Sequence, residues 1–180
     1  MPAKISAAIR QRAARIKLFL CDVDGVLTDG SIFIGGAQEI KRFNIRDGLG
    51  LVILRRNGVK VGWISNRFSP ATELRAKELK IDFLQQPKGS KVAVIETVLA
   101  QAGVTWSQVC YMGDDVVDLG ALQRAGMSIA PANATSEAKA AADYVTQAAA
   151  GDGAVREAVE LILRAQNKWK RIVAEYAASN

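Results

Sequence analysis

From residue 16 onward, short apolar runs of strand length alternate with longer segments whose apolar positions recur every three or four residues. The runs at 17–21 (KLFLC), 59–65 (VKVGWIS), 81–86 (IDFLQQ), 109–112 (VCYM), 127–132 (MSIAPA) and 143–147 (DYVTQ) read as strands. Between them, residues 47–58, 69–80, 90–103, 115–126, 135–142 and 153–166 read as helices. Ser69 is a natural N-cap with Pro70 at the first helical position, and Gly58 and Gly103 stand where helices would close. Residues 31–43 (SIFIGGAQEIKRF) suggest two short strands about a Gly35-Gly36 turn. A basic helix precedes the first strand. Strand-then-helix repetition predicts an α/β protein: a three-layer, Rossmann-like open parallel sheet covered on both faces, with a small hairpin insertion. No composition shift marks a second domain, so residues 1–180 read as one domain with a core over about 16–165.

In such sheets ligands bind beyond the carboxyl ends of the strands, which makes the polar residues there informative. Asp22 and Asp24 end the first strand. Ser65, Asn66 and Arg67 end the VKVGWI strand, and Asp114 and Asp115 end VCYM. Lys88 and Lys91 flank the start of the helix that follows IDFLQQ. Singly each has an ordinary reading: an acidic turn, a strand end, a solvated lysine. If the sheet is parallel, however, all converge on one edge. Carboxylates crowded together raise one another's pKa unless a cation compensates. An all-oxygen donor set favours Mg²⁺, which works readily with phosphates. An aspartate can attack phosphorus, and a second acid two residues on is placed to protonate the leaving oxygen and then activate water. The set points to Mg²⁺-dependent phosphoryl transfer.

Composition narrows this further. The 180 residues contain no histidine, which excludes Ser-His-Asp and Cys-His catalysis and histidine metal sites. The net charge of +6 is concentrated at the ends, with +5 in residues 1–17 and +3 in residues 164–180, leaving the remainder mildly acidic. Nucleic acid is therefore not the expected partner. No apolar stretch is long enough for a membrane span, and the basic N-terminus leads into only about five apolar residues. A cytoplasmic protein is expected. Cys21 and Cys110 each sit in an apolar run and read as small buried core residues.

DVDGVLTDG, ISNR, GSK and GDDVVDLGAL, in that order, resemble the four motifs of the haloacid dehalogenase superfamily. More narrowly, these together with FNIRDGLGL and DGAVREAVELIL resemble its capless, tetrameric 3-deoxy-D-manno-octulosonate 8-phosphate phosphatases, which supply a sugar acid for bacterial lipopolysaccharide. The resemblance implies a phosphatase with no cap domain. Asp22 would be nucleophile and Mg²⁺ ligand, and Asp24 the acid–base, lending its backbone carbonyl to the metal. Asp114 would be the third ligand, supported by Asp115. Ser65 and Asn66 would bind the phosphoryl group and Lys91, with Lys88 as the alternative, would neutralise it. Asn44, Ile45, Arg46, Asp47 and Gly48 would line the sugar pocket with Arg67 and Arg75. A guanidinium at Arg67 suits a carboxylate-bearing substrate, where relatives acting on nine-carbon acids tend to carry glutamate.

The chain departs from that family in reading Ser65-Asn66-Arg67 for Thr-Gly-Arg and in having Val52 where an arginine is frequent. Those departures bear on substrate identity, and a nine-carbon sugar acid or another sugar phosphate is the alternative substrate. Two rival classes share parts of the pattern. A receiver-like signalling domain has an acidic pocket, hydroxyl and lysine but no acid at the Asp24 position. A catalytically weak binding protein has only Asn66 in its favour. The apolar hairpin is expected to assemble a homotetramer in which a neighbouring chain closes each open site. The tail after residue 164 is expected either to reach over a neighbour's site or to be solvated.

Overall fold

The structure, a computed structural model, describes residues 5–35 and 38–178. Eight helices and eight strands are found among them. In chain order they are α1 (Ala7–Ala14), β1 (Leu18–Cys21), β2 (Phe33–Gly35), β3 (Gln38–Ile40), α2 (Ile45–Arg56), β4 (Lys60–Ile64), α3 (Pro70–Leu79), β5 (Phe83–Gln85), α4 (Lys91–Ala102), β6 (Val109–Met112), α5 (Leu119–Leu122), β7 (Met127–Ala130), α6 (Ser136–Ala141), β8 (Tyr144–Val145), α7 (Ala154–Ala165) and α8 (Trp169–Ala178).

Six strands form one parallel sheet in the order β5-β4-β1-β6-β7-β8. Both faces are covered, so alternate residues of a strand feed different cores. Phe19 and Cys21 of β1 pack with α1, α2, α7 and α8, whereas Leu18 and Leu20 pack with α4, α5 and α6. This double burial explains why the strands read as continuous apolar runs instead of alternating ones. Both cysteines are free and fully buried, as expected. Ser69 accepts from the Thr72 N–H as the N-cap of α3, with Pro70 in the first turn.

The hairpin β2–β3 is a separate antiparallel pair with Phe33 opposite Ile40. Gly36, expected in its turn, lies outside the described residues. No described helix is long and apolar enough to cross a membrane.

One expectation is corrected, and the tail's conformation is resolved. Residues 115–126 do not make one helix: a 3-10 turn at Val116–Asp118 leads into the single turn α5. The Asp118 carboxylate bends back to accept the Asp114 and Asp115 N–H groups, a local bond that competes with the helical pattern. The tail is ordered as α8. Trp169 and Ile172, three residues apart on one face, are buried, and the guanidinium carbons of Arg156 and Arg164 lie 5.0 and 5.5 Å from the Trp169 ring centre.

Candidate active site

Register explains why distant polar residues meet. Cys21 pairs with Trp63 on one side and Met112 on the other, so the next residues of β1, β4 and β6 emerge together at the carboxyl edge. Asp22 follows β1 and its N–H donates to the Met112 carbonyl at 3.0 Å. Ser65 follows β4 and Asp114 follows β6 by one glycine. Carboxylate oxygens of Asp22, Asp114 and Asp118 lie within 4.8 Å of one another, and the three could together hold a metal ion. Gly25 has φ +91°, and a Cβ there would overlap the Asp114 carboxylate. The glycine after Asp24 is thus what lets the β1 and β6 loops close on each other.

One lysine balances these three acids. Lys91, at the start of α4, places Nζ 3.1 Å from Asp22 and 2.7 Å from Asp118, with its side chain buried. Lys88 is exposed, so Lys91 is the lysine that the fold aims at the cluster. The remaining negative charge has visible consequences. Burial first, then neighbouring Asp22, Asp118 and Asp115, push Asp114 up to about 7. Burial outweighs the Lys91 ammonium at Asp22 and raises it to about 6. Lys91 is itself raised: burial opposes its charge, but Asp22 and Asp118 overcome that. Asp114 Oδ1 is buried with no hydrogen-bond partner among the described residues.

Asp118 was missed by sequence reasoning, which assigned the supporting role to Asp115. Asp115 is exposed and turns its carboxylate to the Val116 N–H at 2.7 Å. Asp118 is fully buried instead. Its Oδ1 accepts from Lys91 Nζ and, at 2.6 Å, from the Tyr111 hydroxyl, and its Oδ2 accepts from the Asp114 and Asp115 N–H groups. Its acceptors are occupied, leaving Asp22 and Asp114 to offer free oxygens. The signal was present: an aspartate inside the apolar run VVDL must be paired when buried.

The phosphate-side residues occupy the same edge. Ser65 is buried, with its hydroxyl oxygen accepting from the Arg67 N–H at 3.2 Å. Asn66, standing where a glycine was expected, donates to the Gly89 carbonyl at 2.9 Å and ties the β4 loop to the loop that leads into α4 and Lys91.

Several residues of the expected sugar-pocket stretch also make contacts within the fold. Asn44 caps α2, accepting from the Arg46 and Asp47 N–H groups. Asp47 is buried and accepts from the Gly153 and Arg156 N–H groups at 3.2 and 2.6 Å, where the orphan donors at the N-terminus of α7 need an acceptor. Gly48 is buried beside Arg75, a glycine where any Cβ would press on the guanidinium. Arg75 pairs with Glu78 at 2.6 Å. Only Ile45 and Arg46 of the stretch point outward. Arg67 is held by Glu39 of the hairpin instead of standing free. Asp24, half-buried, meets Lys41 of the hairpin at 2.6 Å. Asp29 accepts from the Ser31 N–H and pairs with Arg42 at the hairpin's entrance.

A parallel sheet carrying a nucleophile-capable aspartate, a second acid two residues on, a hydroxyl, a buried lysine and an acidic cation cluster at one edge defines the phosphoryl-transfer enzymes of the haloacid dehalogenase type. Comparison with known proteins agrees. Residues 64–158 match the haloacid dehalogenase-like hydrolase family. The chain is 42% identical over 159 residues to the 3-deoxy-D-manno-octulosonate 8-phosphate phosphatase of Yersinia pestis, covering 88% of this chain and 85% of that protein. The Moraxella catarrhalis phosphatase of the same name, solved with magnesium, phosphate and KDO, superposes with a TM-score of 0.91 at 40% identity, covering 93% and 97% of the two chains. The cobalt-bound Haemophilus influenzae enzyme gives 0.85 at 41%, covering 88% and 93%. This chain belongs to the 3-deoxy-D-manno-octulosonate 8-phosphate phosphatase family of haloacid dehalogenase-like hydrolases.

Proposed function

We propose that this protein is a Mg²⁺-dependent phosphatase that hydrolyses 3-deoxy-D-manno-octulosonate 8-phosphate to the sugar acid and phosphate. The observation that carries the reading is the acidic cluster around Lys91 at the carboxyl edge, with an unpartnered oxygen on Asp114. Three carboxylates against one ammonium, all-oxygen in character, fit a hard divalent cation. Asp22 and Asp114 would hold it, with the Asp24 carbonyl, and it would supply positive charge to the transferring phosphoryl oxygens.

The chain's own groups account for the remaining steps. Asp22 Oδ forms a bond to phosphorus while the bond from phosphorus to the sugar oxygen breaks, and Asp24 gives its proton to that oxygen. Ser65 and Asn66 bind, and Lys91 neutralises, the phosphoryl group in flight. Asp24 then takes a proton from water, whose oxygen attacks phosphorus and frees Asp22 and phosphate. Arg67, with Ile45, Arg46 and Arg75 as further candidates, is our choice for the group that meets the substrate carboxylate. The relatives' substrate supports the choice.

Phosphate release from a panel of phosphorylated eight- and nine-carbon sugar acids tests the reading. Turnover is expected with Mg²⁺, to vanish in EDTA, and to fall by at least about 10³-fold in Asp22→Asn. Metal-independent turnover by that variant would refute it.

We further propose that the enzyme acts in the cytoplasm, consistent with two unpaired thiols, and as a homotetramer. The hairpin exposes Phe33, Ile34 and Ile40, at 60, 76 and 61% of their surfaces, beside an open site. Light scattering is expected to give four chains, and a fully active monomer would sink the idea.

A further inference from the structure

Lys41, just past β3, is among the few buried cations of the described residues, and the mechanism above does not use it. Its side chain is fully buried, with Nζ 2.6 Å from Asp24 Oδ1, donating to Thr72 Oγ1 at 3.2 Å and 3.7 Å from Glu39 Oε1. Glu39 is anchored in turn by the Arg67 guanidinium and by the Ser69 hydroxyl at 2.7 Å. Both Asp24 carboxylate oxygens are buried and lack a hydrogen-bond partner among the described residues, so the ion pair with Lys41 is what fixes the side chain. A buried ammonium is a poor way to gain stability, since its desolvation costs several kcal/mol that an apolar side chain would avoid. The hairpin is also outside the main sheet, so nothing in the sheet's own packing requires a lysine there.

We propose that Lys41 is a positioning residue for Asp24: the hairpin's buried ammonium, braced on Thr72 and Glu39, holds the acid's carboxylate on the line to the leaving oxygen. Lys41 exchanges no proton and touches no reacting atom. It removes the rotamers in which Asp24 would swing toward solvent. The proposal rests on the phosphatase reading with Asp24 as acid, and it makes the hairpin part of the catalytic apparatus of its own chain.

Leaving-group dependence separates this role from a merely structural one. The ratio kcat/KM reports the steps through formation of the aspartyl-phosphate, in which a sugar alkoxide needs the Asp24 proton and p-nitrophenolate does not. Lys41→Met is expected to lower kcat/KM about 100-fold on phosphorylated sugars and by less than about threefold on p-nitrophenyl phosphate. Asp24→Asn should show the same signature, and adding Lys41→Met to it should cost nothing more. Thr72→Val keeps the lysine but removes one brace, and should give the same selective pattern at several-fold. If Lys41→Met does not accumulate as folded protein, Thr72→Val decides the matter. Equal losses on both substrates, no loss, or full additivity with Asp24→Asn would overturn the proposal. Wild-type turnover of the sugar-acid phosphate, measured in parallel, tests the functional reading separately.

Discussion

Asp47 and Asp114 are both carboxylates taken largely out of water, both raised in pKa chiefly by burial, and both drawn from motifs that read as functional. Their surroundings differ in one respect that decides their roles. Asp47 meets two backbone N–H groups at the N-terminus of α7, so its charge is answered by donors that the helix leaves orphaned. Asp114 meets two further carboxylates and keeps one buried oxygen with no donor among the described residues. Natural folds satisfy nearly all buried polar atoms. A satisfied buried acid holds the fold together, whereas an unsatisfied one among like charges marks a place reserved for a cation.

The contrast is broken or sharpened by removing each charge. Asp114→Asn should lower turnover at least about 100-fold, because a charged ligand contributes several kcal/mol of transition-state stabilisation through the metal. Its metal-free stability should be unchanged or higher, since the amide relieves like-charge repulsion. Asp47→Ala should do the reverse. It should cost about 1–3 kcal/mol in urea unfolding by stranding the α7 donors, while Mg²⁺ binding and activity per folded molecule are retained. A large activity loss at normal stability in Asp47→Ala would return that residue to the substrate pocket.

A smaller effect concerns pH. In the metal-free protein, Asp114 at about 7 and Asp22 at about 6 lie above the ordinary aspartate value of 3.8. The folded state therefore binds more protons than the unfolded one between those values. Stability carried by these groups is largest at low pH and is lost as pH rises from about 4 through 7. Protons and Mg²⁺ compete for the same oxygens. At a hundredfold excess over its Kd, Mg²⁺ should stabilise by about 2.7 kcal/mol, or roughly 5–10 °C in Tm, at pH 8. The gain should be clearly smaller at pH 5.5 in a melting series, and an equal gain at both would contradict the assignment.

Much of this was legible in the chain. The alternation of apolar runs and helical segments specified the parallel sheet, because strands buried on both faces must be apolar throughout and so stand out. The sheet in turn predicted which ends the chemistry would share, and the structure places Asp22, Ser65, Lys91 and Asp114 at that edge. Asp118 was not picked out because it sits inside a run that reads as helix, and only the bent 3-10 turn carries its carboxylate back to Lys91. Lys41 was not picked out because a lysine beside an apolar isoleucine reads as solvent-facing, whereas the structure exposes Ile40 and buries Lys41.

Sequence by itself determined the elements, the edge and the chemical types available there: carboxylates without histidine, one phosphate-side hydroxyl, and lysines in reach. Those follow from local rules of periodicity, capping and side-chain chemistry. Which of Lys88 and Lys91 turns inward, which of Asp115 and Asp118 is buried, and that the Asp47 carboxylate meets the N-terminus of α7 were decided only by tertiary structure. Each of those choices depends on donors and charges brought from far along the chain, and no local pattern records them.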